Sequence, residues 1–368
     1  MARLGDICEI LDKNRIPITA SNRQSGPYPY YGANGVQDYV DDYIFDDELV
    51  LLAEDGGSFG SKDKPIAYRV SGKCWVNNHA HVLKPKDGLD VDYLCYSLMF
   101  YDVSGLVNGA TRQKLTQAEM RKMEIPLPPL DEQRRIAAVL DKVTGLIAKR
   151  RQQLEMLDEL VKARFVEMFG TFPANENNWP VGKIRDVIKE ARYGSSRPAV
   201  DGGQYPYLRM NNITYGGYLD LSNIKQIDVP ESELPKCSVQ RGDVLFNRTN
   251  SKELVGKTCV YDRDEQMVLA GFIIRIRVNK HILPEFLSGF LNTDFSKQML
   301  LGMCKTAIGQ ANINAQEMQN IGIYIPPIGL QQEFVDYHHQ VKKTKTTISR
   351  SLDKLETLKK SLMQEYFG

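Results

Sequence analysis

Three sets of polar side chains in this 368-residue chain have the types and spacing to contact nucleic acid. Arginine presents a fork of donors that suits guanine, Asn and Gln pair with adenine, and Lys, Ser and Thr hold phosphates. The first set sits at the polar corner Ala110-Thr-Arg-Gln-Lys-Leu115, with Arg112, Gln113 and Lys114 as contacts, and at Gly309-Gln-Ala-Asn-Ile313, with Gln310 and Asn312. Each corner precedes an expected helix start, at Thr116 and Asn314, so helix capping is the competing role. The second set is Arg209, Asn211 and Asn212 in Tyr207-Leu-Arg-Met-Asn-Asn-Ile213, whose partner is Tyr30-Tyr-Gly-Ala-Asn34. Turn formation explains the glycine and Asn34 of that partner equally well. The third set is Arg248, Asn250 and Lys252, opposite Ser58, Ser61 and Lys62, in polar loops after a strand, where phosphate contact competes with plain solvation. The acidic run from Asp41-Asp42 to Asp46-Asp47-Glu48 should face away from DNA.

No group of residues assembles a catalytic centre. An adenine methyltransferase needs Asn or Asp before a Pro-Pro pair and an aromatic after it to hold a flipped base. Here Leu127 and Ile325 precede the two pairs, and Leu130 and Ile328 follow. Gly256-Lys257-Thr258 looks like the end of a phosphate loop, yet the first glycine of that motif falls on Ser251 and a strand-like Cys-Val-Tyr follows where a helix must begin. His79 and His81, with Cys74 nearby, alternate on a strand end without a fourth ligand, which favours a hydrogen-bonded pair over a metal site. The six cysteines contain no Cys-x-x-Cys pair and are expected as buried free thiols.

The elements that must position these residues occur twice. A shift of 198 places Pro128-Pro129-Leu130 on Pro326-Pro327-Ile328, Gln133 on Gln331, Leu154 on Leu352, Leu157 on Leu355 and Phe169-Gly170 on Phe367-Gly368. Leu4-Gly-Asp-Ile7 and Ile184-Arg-Asp-Val187 are 180 apart, so the second unit carries about 18 extra residues, as surface-loop variation allows. Short apolar runs bounded by Gly, Asn and Asp predict strands at 48–53, 65–70 and 81–85 and a helix at 92–101. The second unit repeats them at 242–246, 258–261 and 271–278, with a helix at 284–301.

A long charged helix follows each Pro-Pro turn. Leu140, Val143, Ile147, Leu154, Leu157, Val161 and Met168 on the first, and Phe334, Val341, Ile348, Leu352, Leu355, Leu362 and Tyr366 on the second, recur mostly at steps of three, four or seven. Lys345 stands where the first helix has Ile147, and Ile348 where it has Arg150, so the seams complement each other. That pattern suits helices packed on one another; each covering its own domain is the alternative. Chain order makes the pair antiparallel and the domains pseudo-two-fold related, at the ends of a bar of about 57 Å at 1.5 Å per residue. Such a bar matches about 17 base pairs of duplex at most.

With 42% hydrophobic and 25% charged residues, the chain can bury two cores. It has no run of about 18 apolar residues to span a bilayer and no signal-peptide layout, so a cytoplasmic location without membrane contact is expected. A net charge of +1 is low for a DNA reader, whose affinity normally shows as a basic surplus. Positive charge must then be local or come from a partner.

Leu127-Pro-Pro-Leu-Asp-Glu-Gln133 with Ile325-Pro-Pro-Ile-Gly-Leu-Gln331, the Phe-Gly end of both helices, Tyr30-Tyr-Gly-Ala-Asn-Gly35, Trp75-Val-Asn-Asn-His-Ala-His-Val82 and Gly242-Asp-Val-Leu-Phe-Asn-Arg248 carry a resemblance. Together, over nearly the whole chain, they resemble the specificity (S) subunit of type I restriction-modification systems. The resemblance implies an α+β fold of two similar mixed α/β target recognition domains separated by two long antiparallel coiled-coil helices. Domain 1 would occupy 1–125, a helical spacer 126–170, domain 2 171–325 and a second spacer 326–368. Each domain would read one half of a split double-stranded DNA target, and the helices would dock two methyltransferase (M) subunits. Two restriction (R) motor-nuclease subunits are an open addition. The chain would hold no cofactor and no metal, with S-adenosylmethionine, ATP and Mg bound by the partners. Gly329-Leu330 replaces the Asp131-Glu132 of the first copy, which bears on how symmetric the docking is. The competing expectation is a two-headed coiled-coil scaffold for protein partners: different polar residues at equivalent corners favour DNA, and the near-neutral charge favours the scaffold.

Overall fold

The structure, a computed structural model, describes residues 1–109, 113–307 and 310–368, with side chains for all of these except 305–307 and 310. It forms two compact units, Met1–Lys149 with Ser351–Gly368, and Arg150–Arg350. Among the described residues all six cysteines are free thiols.

In the first unit, β1 (Cys8–Ile10), β2 (Tyr28–Gly32), β3 (Gly35–Val40), β4 (Phe45–Ala53), β5 (Ala67–Val76) and β6 (Ala80–Pro85) form one sheet in the order β1-β6-β4-β5-β2-β3. All neighbours are antiparallel except β2 and β5, which run parallel with Tyr30 opposite Trp75. The apolar run of β4 is continuous because both faces are covered. Val50 and Leu52 pack toward α1 (Val91–Met99), while Leu49 and Leu51 join Val70 and Val82 on the other side. Asp90 starts α1 by accepting from the Asp92 and Tyr93 N–H groups. Then come β7 (Val107–Asn108), β8 (Lys114–Leu115), α2 (Gln117–Met120) and the long α3 (Leu130–Phe169).

The second unit repeats this order with the sheet divided. Strands β9 (Ile188–Tyr193), β10 (Tyr205–Leu208), β11 (Lys225–Ile227), β12 (Ser238–Val239), β13 (Val244–Asn247), β14 (Thr249–Asn250), β15 (Thr258–Val260), β16 (Met267–Leu269) and β17 (Ile273–Val278) precede α4 (Pro284–Asn292) and α5 (Asp294–Met303). They form one sheet β9-β17-β13-β15 and another β11-β10-β16-β12. What β5 does as one strand, β15 and β16 do as two, and the parallel pair Tyr30 with Trp75 returns as Tyr207 with Val268. Sequence periodicity predicts one helix over 284–301, but Thr293 takes an extended backbone and its hydroxyl accepts from Ser296 N–H, starting a new helix. The unit closes with β18 (Lys305–Ala307), β19 (Gln310–Asn312), α6 (Ala315–Gln319) and the part up to Arg350 of the long α7 (Ile328–Phe367).

Two repeated sequence features have repeated structural work. Gln133 is fully buried: its carbonyl accepts from Asp90 N–H at 2.8 Å and its amide donates to the Gly88 and Pro128 carbonyls. Gln331 does the same with Leu283 N–H at 2.8 Å and the His281 and Pro326 carbonyls. Each glutamine thus ties the start of a long helix to the chain entering α1 or α4. The Phe-Gly ends are anchors as well. Phe169 packs on Phe286 with ring centroids 5.0 Å apart, and Phe367 packs on Tyr93 at 5.2 Å.

Within the second unit the segments of α3 and α7 run antiparallel, Phe165 against Phe334 at 5.1 Å and Asp158 paired with Lys345. Phe165 fills the step that the expected seam left open between Val161 and Met168. Gly289 admits it: a Cβ there would lie 2.9 Å from the Phe165 ring and 3.0 Å from Phe334. Residues 209–224 stand where the first unit has only Ala33 and Asn34 between β2 and β3, so much of the extra length is here. This segment is fastened to the helices, with Tyr218 stacked on His338 at 5.9 Å and lying 4.0 Å from the Lys345 ammonium.

Candidate nucleic-acid interface

In both units a central strand delivers the chain to the polar corner. Leu115 N–H donates to the Glu54 carbonyl just past β4 at 2.7 Å, and Ile313 N–H donates to the Arg248 carbonyl just past β13 at 2.9 Å. Lys114 lies opposite Asp55, at the start of the loop carrying Ser58, Ser61 and Lys62. Asn312 lies opposite Thr249, and Ala311 opposite Asn250. The first and third sets are therefore brought together in each unit. In the second unit the corner is not the expected loop: β14, β19 and β18 form a three-stranded sheet that holds Gln310 and Asn312 in a strand. Helix capping falls to other residues. The Thr116 hydroxyl accepts from Glu119 N–H, and Asn314 accepts from the Gln316 and Glu317 N–H groups. Gln113 and Asn312 remain exposed. Arg112 lies outside the described residues, as does the side chain of Gln310.

An ion network supports the corner of the first unit. His81 is buried, with Nδ1 2.7 Å from an Asp12 oxygen and Nε2 2.8 Å from the Leu115 carbonyl. Asp12 also accepts from Val82 N–H and the Gln117 amide. Burial alone would push the Asp12 carboxyl up, but these contacts prevail and hold it below the usual range. Glu54 is held low in the same way, burial being outweighed by Arg15 at 2.6 Å and Lys114 at 2.9 Å. Asp12, Glu54 and His81 lie close enough to suggest a metal cradle. Their ligand atoms are already taken by protein partners, and Arg15 and Lys114 neutralise the carboxylates. Lys114, expected as a DNA contact, is thus an ion-pair partner of Glu54. Ser61 likewise shapes its turn, accepting from Asp63 and Lys64 N–H, while Lys62 is exposed.

The second unit supports its corner differently. The Arg248 guanidinium lies 4.9 Å from the centre of the Tyr193 ring, and the Tyr193 hydroxyl accepts from Ala315 N–H at 2.8 Å. Lys297 donates from α5 to the Gly256 carbonyl at 2.7 Å, and Lys257 donates to the Met210 carbonyl at 3.0 Å. Burial lowers both amines, and Lys297, also facing Lys162 and Lys257, comes down to about 7. Lys257 is therefore a tether, with β15 rather than a helix after it. Asn250 ends strand β14, and Lys252 follows in the tethered loop, exposed. The second set divides. Asn212 is 2% exposed, accepts from Arg209 N–H and donates to the Asp220 carbonyl, so it builds the turn and cannot read bases. Arg209 donates to the Asn223 carbonyl, and Asn211 is exposed. Tyr193 and Lys297 carried no sequence signal, because each depends on partners far away in the chain, whereas His79 and His81 are hydrogen-bonded as their place on the strand end predicts, though to Asp55 and Asp12 and not to each other.

A duplicated scaffold that presents different polar side chains at equivalent corners has the features of a recognition protein. The chain belongs to the type I restriction modification DNA specificity domain family, whose model matches residues 1–156 and 176–357. Its two units are DNA-binding target recognition domains of that family. A type I restriction enzyme specificity subunit of Haemophilus influenzae is 28% identical over 98% of this chain and 88% of its own length. The EcoKI specificity subunit of Escherichia coli K12 is 25% identical over 87% of this chain and 74% of its own. The fold is shared with the crystal structure of a type I restriction-modification S subunit from M. genitalium, at 14% identity and a TM-score of 0.58, covering 100% of this chain and 95% of that one. Among the described residues no helix is long and apolar enough to cross a membrane.

Proposed function

We propose that each unit reads one half of a bipartite duplex target, and that α3 and α7 set the unread gap and dock two methyltransferase subunits. The observation that carries this reading is the repeated corner. One backbone hydrogen bond recurs, Leu115 to Glu54 and Ile313 to Arg248, while the exposed polar residue beside it changes from Gln113 to Asn312. A common frame with different donors is what readers of two different half-sites need. On this reading the chain is a non-catalytic subunit that acts in the cytoplasm and holds no cofactor itself. S-adenosylmethionine, ATP and Mg would be bound by methyltransferase partners and, in a cleaving complex, by motor-nuclease subunits.

The test is long-read mapping of methyladenine in cells that carry the partner methyltransferase and this chain as wild type, deletion, Arg112→Ala or Asn312→Ala. Deletion should remove one split motif, and each substitution should relax one half-site and leave the other intact. Uniform loss across sequences would reassign those residues to phosphates. An unchanged methylome on deletion, with the partner active, would favour the protein-binding scaffold.

A further inference from the structure

A second backbone hydrogen bond of the polar corner also recurs. Glu54 N–H donates to the His79 carbonyl at 2.9 Å in the first unit, and Arg248 N–H donates to the Phe272 carbonyl at 3.0 Å in the second. The chain arrives there in the same way in both. At the end of the parallel strand pair, Asn77 N–H donates to the Tyr31 carbonyl and Ala270 N–H to the Leu208 carbonyl. His79 and Phe272, each one residue before β6 or β17, therefore hold equivalent places. Their chemistry differs. The His79 imidazole lies 2.7 Å from an Asp55 oxygen, whereas Phe272 is 50% exposed. The backbone around Phe272 is held on both sides: Gly271 N–H donates to the Ser195 carbonyl at 2.7 Å, and Ile273 N–H closes a turn onto the Ala270 carbonyl at 2.9 Å. Arg248 joins Phe272 to the rest of the corner, since its own carbonyl accepts from Ile313 N–H, next to the exposed Asn312. Two strand spacings of about 4.8 Å separate the outer segments, so the corner spans about 10 Å, the rise of roughly three base pairs at about 3.4 Å each.

We propose that Phe272 is a base-reading residue of the second unit and contacts the C5-methyl group of a thymine in its half-site. The inference rests on the half-site reading above. A single exposed apolar side chain is ordinary on a protein surface. This one stands beside Arg248 in the corner, on a fixed backbone, at a place where the first unit carries an imidazole. The thymine methyl is the apolar group that base edges display in the major groove, and phenylalanine is among the side chains that meet it. A side chain on a backbone already held in place costs little further ordering on binding.

The experiment uses the complex with its methyltransferase partner and a duplex carrying the mapped motif. Each thymine of the motif, on either strand, is replaced in turn by uracil, which removes only the methyl group. Wild type, Phe272→Ala and Phe272→Leu are titrated at one salt concentration on every duplex and on one with scrambled half-sites. Burying one methyl-sized group is worth about fourfold in affinity. One uracil in the half-site that Asn312→Ala relaxes should therefore weaken the wild type by about fourfold. Phe272→Ala should bind the thymine and uracil duplexes alike at that position, and Phe272→Leu should recover part of the difference. Uracil at the other positions should affect all three proteins equally, and all three should bind the scrambled duplex alike. If no uracil in that half-site separates Phe272→Ala from wild type while the motif is still preferred, the inference alone is overturned, even where the variant binds more weakly overall. Loss of methyltransferase association in both variants also overturns it, by making the ring a protein-docking group. If the wild type does not prefer the mapped motif to the scrambled duplex, the half-site reading itself fails and the inference falls with it.

Discussion

Replacing Gln331 by methionine keeps the side chain's length and volume and deletes only its polar atoms, so it isolates the clamp at the start of α7. The wild-type amide closes three hydrogen bonds, at 2.8, 3.1 and 2.8 Å, inside a site with no exposure. The substitution leaves the Leu283 N–H and the His281 and Pro326 carbonyls without that partner. An unsatisfied buried group costs about 1–3 kcal/mol, and the size match keeps the cavity contribution small. Allowing one carbonyl to find water, the two remaining groups give an expected loss of about 2–6 kcal/mol, a sizeable part of the ~5–15 kcal/mol that holds a domain folded. The chain's two tryptophans make the assay specific, because Trp75 belongs to the first unit and Trp179 to the second. In a Trp75→Phe background, urea unfolding followed by Trp179 fluorescence reports the second unit alone. Gln133→Met in a Trp179→Phe background should give a loss of the same size in the first unit. A loss below about 1 kcal/mol in both would refute the claim that the repeated glutamine is a structural clamp.

Phe169→Ala should cost the second unit about 3–5 kcal/mol, since the ring is buried in an aromatic cluster. Phe367→Ala, at a partly exposed ring, should cost less and register only in the Trp75 signal of the first unit. Lys297 gives a pH signature. Its amine is lowered from 10.5 to about 7 by burial and then by Lys162 and Lys257, so between those values the unfolded chain binds more protons than the folded one. Stability of the second unit should therefore rise as pH goes from 7 to about 8.5, and Lys297→Met should flatten that rise in urea titrations. A slope equal to wild type in the variant would show that the amine stays charged.

The duplication and the glutamines were legible because identical chemistry was needed twice: both glutamines satisfy the same three backbone groups. Strand and helix order followed from apolar runs that are local in sequence. Thr293 was missed because the apolar pattern runs on through it, while its hydroxyl restarts the helix. Phe165 lies four residues after Val161 and three before Met168, a position the seam itself marks as apolar, and the gap left by Gly289 gives its ring a place. Asn212 has the composition of a base reader, yet its amide is used up by Arg209 and Asp220, and no sequence period encodes that. Lys114 is compensated by Glu54, a pairing that only the isolated bridge of Lys114 with Asp55, just past β4, brings about.

The first unit is assembled from two stretches of chain, Met1–Lys149 and Ser351–Gly368, whereas the second is one continuous stretch. On the ribosome the domain begun first is therefore completed last. About 200 residues separate its two parts, which at 5–20 residues per second is roughly 10–40 s of synthesis. During that interval Tyr93 waits without Phe367, and the core face later covered by Leu362, Met363 and Tyr366 lies open. The second unit can close around α3 in the meantime. A nascent chain of this design exposes one unfinished apolar face for a defined time, and the last turn of α7 ends it.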